Sequence, residues 1–255
     1  MQISVIIPVL NEEQILPSTL PHTLHLGFDD VIVVDGGSTD RTKEIVEAFA
    51  GKGQGARGEG TDSFGADSLP ASSPLPIAPC LRLLTSAAGR ARQMNAGAKA
   101  AKGDELLFLH ADTRLPLDAK AQIEDALRDP ACVGGRFDVR FERDAGLALV
   151  VSRMMNVRSR ISRIATGDQA IFVRRATFDA LGGFADVPLM EDVDFSRRLK
   201  RLGSTSALRA QVITSYRRWQ FCGPVRTIVL MWALRFLYWI GVSPARLKAL
   251  YSDER

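Results

Sequence analysis

The sequence predicts an α/β domain with a doubly wound, mostly parallel sheet and a helical extension at the carboxyl end. Three observations predict it. Short β-branched runs alternate with stretches of helical spacing from residue 3 onward. The apolar runs are continuous rather than alternating, as in strands buried on both faces. Three of them stop at clusters of small, polar or acidic residues. With 255 residues there is room for one such domain with a full core. Hydrophobic residues at 46% and charged ones at 24% separate the chain from disordered classes.

Residues 3–9 read as the first buried strand. Asn11 to Leu26 carries helical spacing, with Asn11 or Ser18 as its cap. Val31 to Val34 is a second strand that ends in Asp35-Gly36-Gly37-Ser38. Thr39 and Asp40 suit the cap of a helix from about Arg41 to Phe49. Residues 51–79, rich in Gly, Pro and Ser, bury too little apolar surface to offset their ordering entropy, and a flexible insertion is expected there. A strand near Leu81–Leu84, a helix from about Gly89 to Ala101, a strand Glu105–Leu109 and a helix Leu117–Leu127 follow. Then come a strand Gly135–Phe141, a helix within 146–165, a strand Gln169–Val173, and helices Ala176–Leu181 and Val193–Leu202. The tail from Val225 to Tyr251 is two helical pieces split at Gly241 and Pro244. The expected division is a domain over 1–220 and a helical extension over 221–255.

Composition narrows the function. The net charge is +4, no block of five basic residues occurs, and aromatics are 7%, which argues against a stacking, basic nucleic-acid surface. Cys80, Cys132 and Cys222 are odd in number and scattered, so small thiols in a reducing cytoplasm are expected rather than disulfides or zinc. Met1 leads straight into an apolar strand without a basic region or cleavage site, so no signal peptide is read. The run Ile228–Val242 falls short of the roughly 20 residues a span needs, and Arg235 interrupts it.

Ligands of open α/β sheets bind beyond the carboxyl ends of the strands. Pro8 to Glu13, Asp35 to Asp40 and His110 to Thr113 would therefore line one crevice. Asp35 can accept from a nucleobase or a ribose hydroxyl, and Gly36 and Gly37 permit close backbone approach; a plain tight turn and helix cap is the alternative. Asp112, at the end of a buried strand, is placed to hold a hard divalent cation against a diphosphate, and His110 either joins it or is a structural hydrogen-bonder. Arg90, Arg92, Gln93 and Asn95 open a helix whose N-terminus offers N–H groups to an anion, unless they form a solvated face. Glu191, Asp192 and Asp194 repel one another, which raises one pKa toward that of a general base, or they simply complement a helix dipole.

These motifs, in order, resemble family 2 glycosyltransferases of the GT-A fold. The resemblance rests on Val5 to Glu13, Val33 to Asp40, Gly89 to Ala98, Phe108 to Thr113, Gly167 to Arg175 and Met190 to Asp194. It implies that Pro8, Asn11, Glu12, Asp35, Gly36 and Ser38, with Arg90, Arg92, Gln93 and Asn95, hold the nucleotide of a nucleoside diphosphate sugar. It implies a manganese or magnesium ion on Asp112, with His110 where the first acidic residue of a DXD motif usually stands. Asp192, beside Glu191, would be the base that deprotonates an acceptor hydroxyl in an inverting displacement. Gly167, Asp168 and Gln169, with Arg218-Trp219, would contact the acceptor or diphosphate; Ser215 stands where a processive member has Gln. The wording of Gly89 to Asn95, His110 to Thr113 and Gly167 to Gln169 is similar to a bacterial subgroup associated with radical-SAM, selenium and arsenosugar biosynthesis genes.

The acceptor is read as a small molecule or a lipid-linked one. Residues 228–242, with Trp232, Phe236, Tyr238 and Trp239, either rest on a membrane surface or cap the protein's own core or a homodimer interface. A cytoplasmic protein, peripheral at most to the inner membrane, is expected. The rival readings are a sugar-1-phosphate nucleotidyltransferase, whose Gly-rich basic loop is missing after the first strand, and a non-catalytic nucleotide-sugar-binding module, against which the joint presence of Asp112, Asp168 and Asp192 speaks.

Overall fold

The structure is a computed structural model that describes residues 1–55, 80–143, 145–217, 219 and 223–251. Its first half is strand and helix in alternation: β1 (Ile3–Val9), α1 (Leu16–His25), β2 (Asp30–Asp35), α2 (Thr42–Gly55), β3 (Cys80–Thr85), α3 (Arg90–Ala100) and β4 (Glu105–Phe108). After these come β5 (Thr113–Arg114), α4 (Ala119–Ala126), β6 (Cys132–Phe141), α5 (Leu147–Ser162), β7 (Ile171–Arg174), α6 (Arg175–Ala180), α7 (Glu191–Leu199), β8 (Ser204–Thr214), α8 (Pro224–Trp239) and α9 (Pro244–Leu250).

One sheet holds all the strands in the order β3-β2-β1-β4-β7-β6-β8-β5. The half β3-β2-β1-β4 is parallel throughout, as the continuous apolar runs predict. Beyond β4 the sheet is mixed: β7 runs antiparallel to both β4 and β6, β6 pairs β8 in parallel, and β5 is antiparallel to β8. Alternation along β1 divides the core between two faces. Ile3, Val5, Ile7 and Val9 pack with Leu16 and Leu20 of α1 and Val46 of α2. Ile6 faces Ala91, Met94 and Ala98 of α3, where the rings of Phe108, Phe178, Phe184 and Phe195 also meet. A polar network ties the far ends of the strands: Ser4 Oγ donates to the buried Asp30 at 2.8 Å, and Arg82 closes on the same carboxylate at 2.8 Å.

Several boundaries differ from expectation for local reasons. Helix α1 starts only at Leu16, after Ile15, with no side-chain cap. Asn11 does not cap it; the residue adopts φ 55°, which asparagine tolerates, and its Oδ1 accepts from the Thr39 N–H at 2.9 Å. Helix α2 continues through Gly55, so residues 51–55 of the expected insertion are helical, while 56–79 lie outside the described residues. The strand β8 was not foreseen, because Ser204–Thr214 is largely Ser, Thr, Ala, Arg and Gln with only a weak apolar pattern. Cys132 is a buried free thiol; Cys222 lies outside the described residues. At the carboxyl end, Leu234 of α8 and Leu247 of α9 pack on Met190 and Val193, at the start of α7.

Candidate active site

The strand-end loops are stitched together before any ligand arrives. The Asn11 N–H donates to Ser38 Oγ at 2.9 Å, the Glu12 N–H to Thr42 Oγ1 at 2.8 Å, and the Glu13 N–H to Asp40 Oδ2 at 3.1 Å. The Asp35 carboxylate, fully buried, accepts from the N–H groups of Gly37 at 3.0 Å and Ser38 at 3.1 Å, with Lys43 Nζ 3.4 Å away. Burial opposes its charge, but the donors from Ser38, Gly37 and Lys43 outweigh it and hold the carboxyl below the ordinary range. The third loop, His110-Ala111-Asp112-Thr113, is a tight turn closed by the Thr113 N–H on the His110 carbonyl at 3.1 Å.

Beside that turn lies a cavity of about 310 Å³. Its polar side is lined by His110, Asp112, Gly167, Asp168, Glu191 and Asp192, with the cations Arg90, Arg158 and Arg235. Its apolar side comes from Met154 and Val151 of α5, Met231 and Trp232 of α8, and Trp219. Two motifs far apart in sequence are locked together here. A Cβ on Gly167 would fall against Nε2 of His110 and 2.7 Å from its Cε1, so only glycine lets the backbone lie on the imidazole. The same Gly167 N–H donates to Asp192 Oδ2 at 2.8 Å, while Asp192 Oδ1 takes the Val193 N–H at 2.7 Å. Backbone strain flanks this link. Ala170 (φ 47°) and Met190 (φ 70°) occupy the left-handed region, which costs a non-glycine residue roughly 1–3 kcal/mol.

The carboxylates crowd one another in a partly dry space. Burial pushes the Asp112 carboxyl up, against the pull of Arg217, Thr113 and Arg90. Burial also raises Asp168, and the neighbouring Asp192 adds to it, while Thr166 and Arg158 oppose. Glu191 is raised by burial and by Asp192, although Arg90 lies 3.4 Å away. On the cationic side, burial and the proximity of Arg235 push the Arg158 guanidinium down to about 10. Asp168 Oδ1 and two nitrogens of Arg158 are buried without a hydrogen-bond partner among the described residues, so the cavity holds polar capacity that the chain itself does not use.

Residues 4–58 match the family model described as Glycosyl transferase family 2. Among solved structures, S. aureus TarS 1–349 aligns at 18% identity and a TM-score of 0.61, over 84% of this chain and 60% of that one. Its complex with UDP-GlcNAc aligns at the same identity and TM-score, over 58% of that chain. The mannosyltransferase PcManGT from Pyrobaculum calidifontis, in complex with GDP-Man and Mn2+, aligns at 20% identity and a TM-score of 0.60, over 83% of this chain and 56% of that one. The fold is the GT-A fold of these glycosyltransferase neighbours, and residues 4–58 are similar to family 2 glycosyl transferases. The chain spans about six tenths of the length of the TarS and mannosyltransferase chains it resembles. No curated protein matches its sequence.

Within the GT-A frame the sequence-predicted residues separate into two groups. The cavity gathers His110, Asp112, Gly167, Asp168, Glu191, Asp192, Arg90 and Trp219. Pro8 lies near the end of β1 and Asn11 and Glu12 in the loop after it, with Glu12 3.8 Å from Arg217. The others are held in structural contacts. Asp35 and Ser38 are buried in their own turn and the loop stitching. Gly36 serves packing rather than ligand approach, since a Cβ there would strike the Gln93 amide at 2.9 Å; Gly37, exposed and open, is the glycine a ligand can approach. Gln93 spends its Nε2 on the carbonyls of Val9 at 2.7 Å and Val34 at 2.8 Å. Asn95 pins Phe184 through both amide atoms. Arg92 pairs with Asp186 at 2.9 Å on the surface. Gln169 is buried and latches its turn by accepting the Thr166 N–H at 3.1 Å. Arg218 lies outside the described residues; its neighbour Arg217 is the cation that bears on Asp112 and Glu12. Sequence reasoning missed Arg217 and Arg158. The signal for Arg158 was a charge at a half-buried position of a helix, which the sequence pattern did not distinguish from a solvated arginine.

Proposed function

We propose that the protein transfers a glycosyl group from a nucleoside diphosphate sugar to an acceptor hydroxyl in one inverting displacement. The observation that carries this reading is the single cavity that holds Asp112, at the end of a parallel strand, together with Asp192, at the first turn of α7, joined through His110 and Gly167. In the proposed step the acceptor oxygen forms a bond to the anomeric carbon while the bond to the diphosphate oxygen breaks. The hydroxyl proton passes to the Asp192 carboxylate, and the electron pair leaves with the nucleoside diphosphate. Two backbone N–H groups fix that carboxylate in one plane, and its remaining lone pairs can take the proton. Glu191 holds Arg90 beside the cavity, where Arg90 and Arg217 supply charge for the leaving group.

A hard divalent cation, manganese or magnesium, fits the donor set. Among the described residues no group of three His, Cys, Asp or Glu side chains is placed to hold a metal ion together, so a protein-only cage is not what this site offers. It offers one buried carboxylate, Asp112, with His110 beside it, leaving the other positions to diphosphate oxygens and water, as hard cations in phosphate sites accept. Bound there, such an ion would neutralise charge on the departing diphosphate. The Mn2+ and GDP-Man in the mannosyltransferase neighbour and the UDP-GlcNAc in TarS support a nucleotide-sugar donor. Pro8, Asn11 and Glu12, with the open Gly37, would border the nucleoside. The narrower likeness to the radical-SAM- and selenium-associated subgroup rests on sequence wording alone.

The test is Asp192→Asn. Turnover should fall by roughly 10²–10⁴-fold, the usual contribution of a positioned base, with donor affinity nearly unchanged. Wild-type turnover in that variant would remove Asp192 from the chemistry.

A further inference from the structure

Two helices at the cavity mouth carry apolar side chains where no part of the described chain covers them. On α5, Met154, Val157 and Ile161 follow one another at three and four residues and form one stripe, with Ile161 81% exposed. On α8, Trp232, Phe236 and Trp239 do the same, the tryptophans 62% and 72% exposed. The opposite sides of these helices are packed: Ser152, Asn156 and Ser159 of α5 are buried, and Leu230, Leu234 and Leu237 of α8 join the cluster of Met190 and Val193. Large apolar side chains exposed side by side along a helix mark a surface that meets a partner or a membrane. These two helices have cover on one side only. Met154 and Trp232 both line the cavity, so the two stripes meet at its mouth.

We propose that this paired face docks on the surface of an anionic bilayer. Charge selects the occupant. From Ala145 to Arg163 and from Ser215 to Tyr251 the sequence has ten Arg or Lys residues and not one Asp or Glu, although 29 acidic residues occur in the chain. Arg158 and Arg235 line the cavity and Arg160 pairs with Asp138, but Arg153, Arg163, Arg226 and Arg246 are exposed; a second copy would bring these like charges against each other, whereas anionic headgroups complement them. Arg153 and Arg226, both exposed, flank the stripes on their own helices, and tryptophans beside arginines suit the boundary between headgroups and acyl chains. Among the described residues no helix is long and apolar enough to cross a membrane, so the helices lie on the surface. Docked this way, the cavity faces lipid; if the transfer reading above holds, the acceptor hydroxyl is carried on an amphiphile.

The experiment is flotation of the full chain, without donor, on phosphatidylglycerol-containing and on pure phosphatidylcholine vesicles. It reads docking whether or not the protein transfers sugar. The protein should float with the anionic vesicles and remain behind with the neutral ones. Arg153→Gln and Arg226→Gln should each weaken binding by roughly fivefold. The double variant Ile161→Ser, Trp239→Ser should abolish flotation while melting like the wild type, because both side chains are exposed and outside the cavity lining. Equal binding to neutral vesicles, or undiminished flotation of the double variant, would overturn the proposal. So would a stable dimer in solution that the double variant dissociates, since that result assigns the face to a second copy.

Discussion

Adding one methyl group at Gly167 tests whether the link between the His110 turn and Asp192 organises the site. In Gly167→Ala the new Cβ would lie 2.7 Å from His110 Cε1 and nearer still to Nε2, roughly 1 Å short of normal contact. Either the imidazole or the 167 backbone must give. Overpacking of this kind costs about 1–3 kcal/mol. If the backbone moves, the 2.8 Å bond from the Gly167 N–H to the Asp192 carboxylate is lost as well, a charge-assisted bond worth about 1.5–3 kcal/mol. A displacement of that size also moves the proposed base, which costs roughly 10²-fold in turnover, or about 2.7 kcal/mol of barrier. Denaturant melts and steady-state turnover measure the two effects separately. In the double variant His110→Ala, Gly167→Ala the ring is gone, so much of the stability loss should be recovered, and the cycle should show a coupling of about 0.5–3 kcal/mol. Additive losses in that cycle, or wild-type stability and turnover in Gly167→Ala, would refute the proposed contact.

Asp35→Asn should destabilise the protein at neutral pH by about 1–3 kcal/mol, because the charged carboxylate is the acceptor for its turn. Its folded pKa is lowered, so this stability is present above the unfolded value of roughly 3.9 and is lost as pH falls through the folded one; urea melts of the two proteins should therefore converge at acid pH. Phe195→Ala should cost about 3–5 kcal/mol in the same melts, since the ring is fully buried and packs at a tilt with its centroid 4.4 Å from that of Phe184 and 5.7 Å from that of Phe178.

The parallel half of the sheet was legible because its strands are continuous apolar runs punctuated by turn residues, and β1, β2 and β4 fall within a residue or so of where that pattern puts them. β8 was not legible. Its pairing with β6 is a tertiary choice that the polar sequence Ser204–Thr214 does not announce. At the site, residue type pointed to the acidic groups that matter geometrically, Asp112, Asp168, Glu191 and Asp192, since carboxylates at strand ends and helix starts are few. Polar residues next to them are harder to read. Gln93, Asn95 and Gln169 carry the same donor and acceptor groups whether they face a ligand or satisfy buried backbone, and the fold shows each of them bonded to backbone groups. Arg217 bears on Asp112 and was not singled out, because an arginine carries no sequence signal for which acid it will face.

The most direct test of sugar transfer at this cavity is a thermal-shift measurement of nucleoside diphosphate sugars with and without Mn2+, on the wild type and on Asp112→Asn. At a donor concentration near 100 times its Kd, mass action adds about 2.7 kcal/mol, which for a chain of this size raises the Tm by roughly 5 °C. The prediction is such a rise for one class of donor in the wild type, with its Mn2+-dependent part absent from Asp112→Asn. Equal metal-dependent rises in both proteins would remove Asp112 from the metal site, and the absence of a rise with every donor would contradict the reading of the cavity as a nucleotide-sugar site.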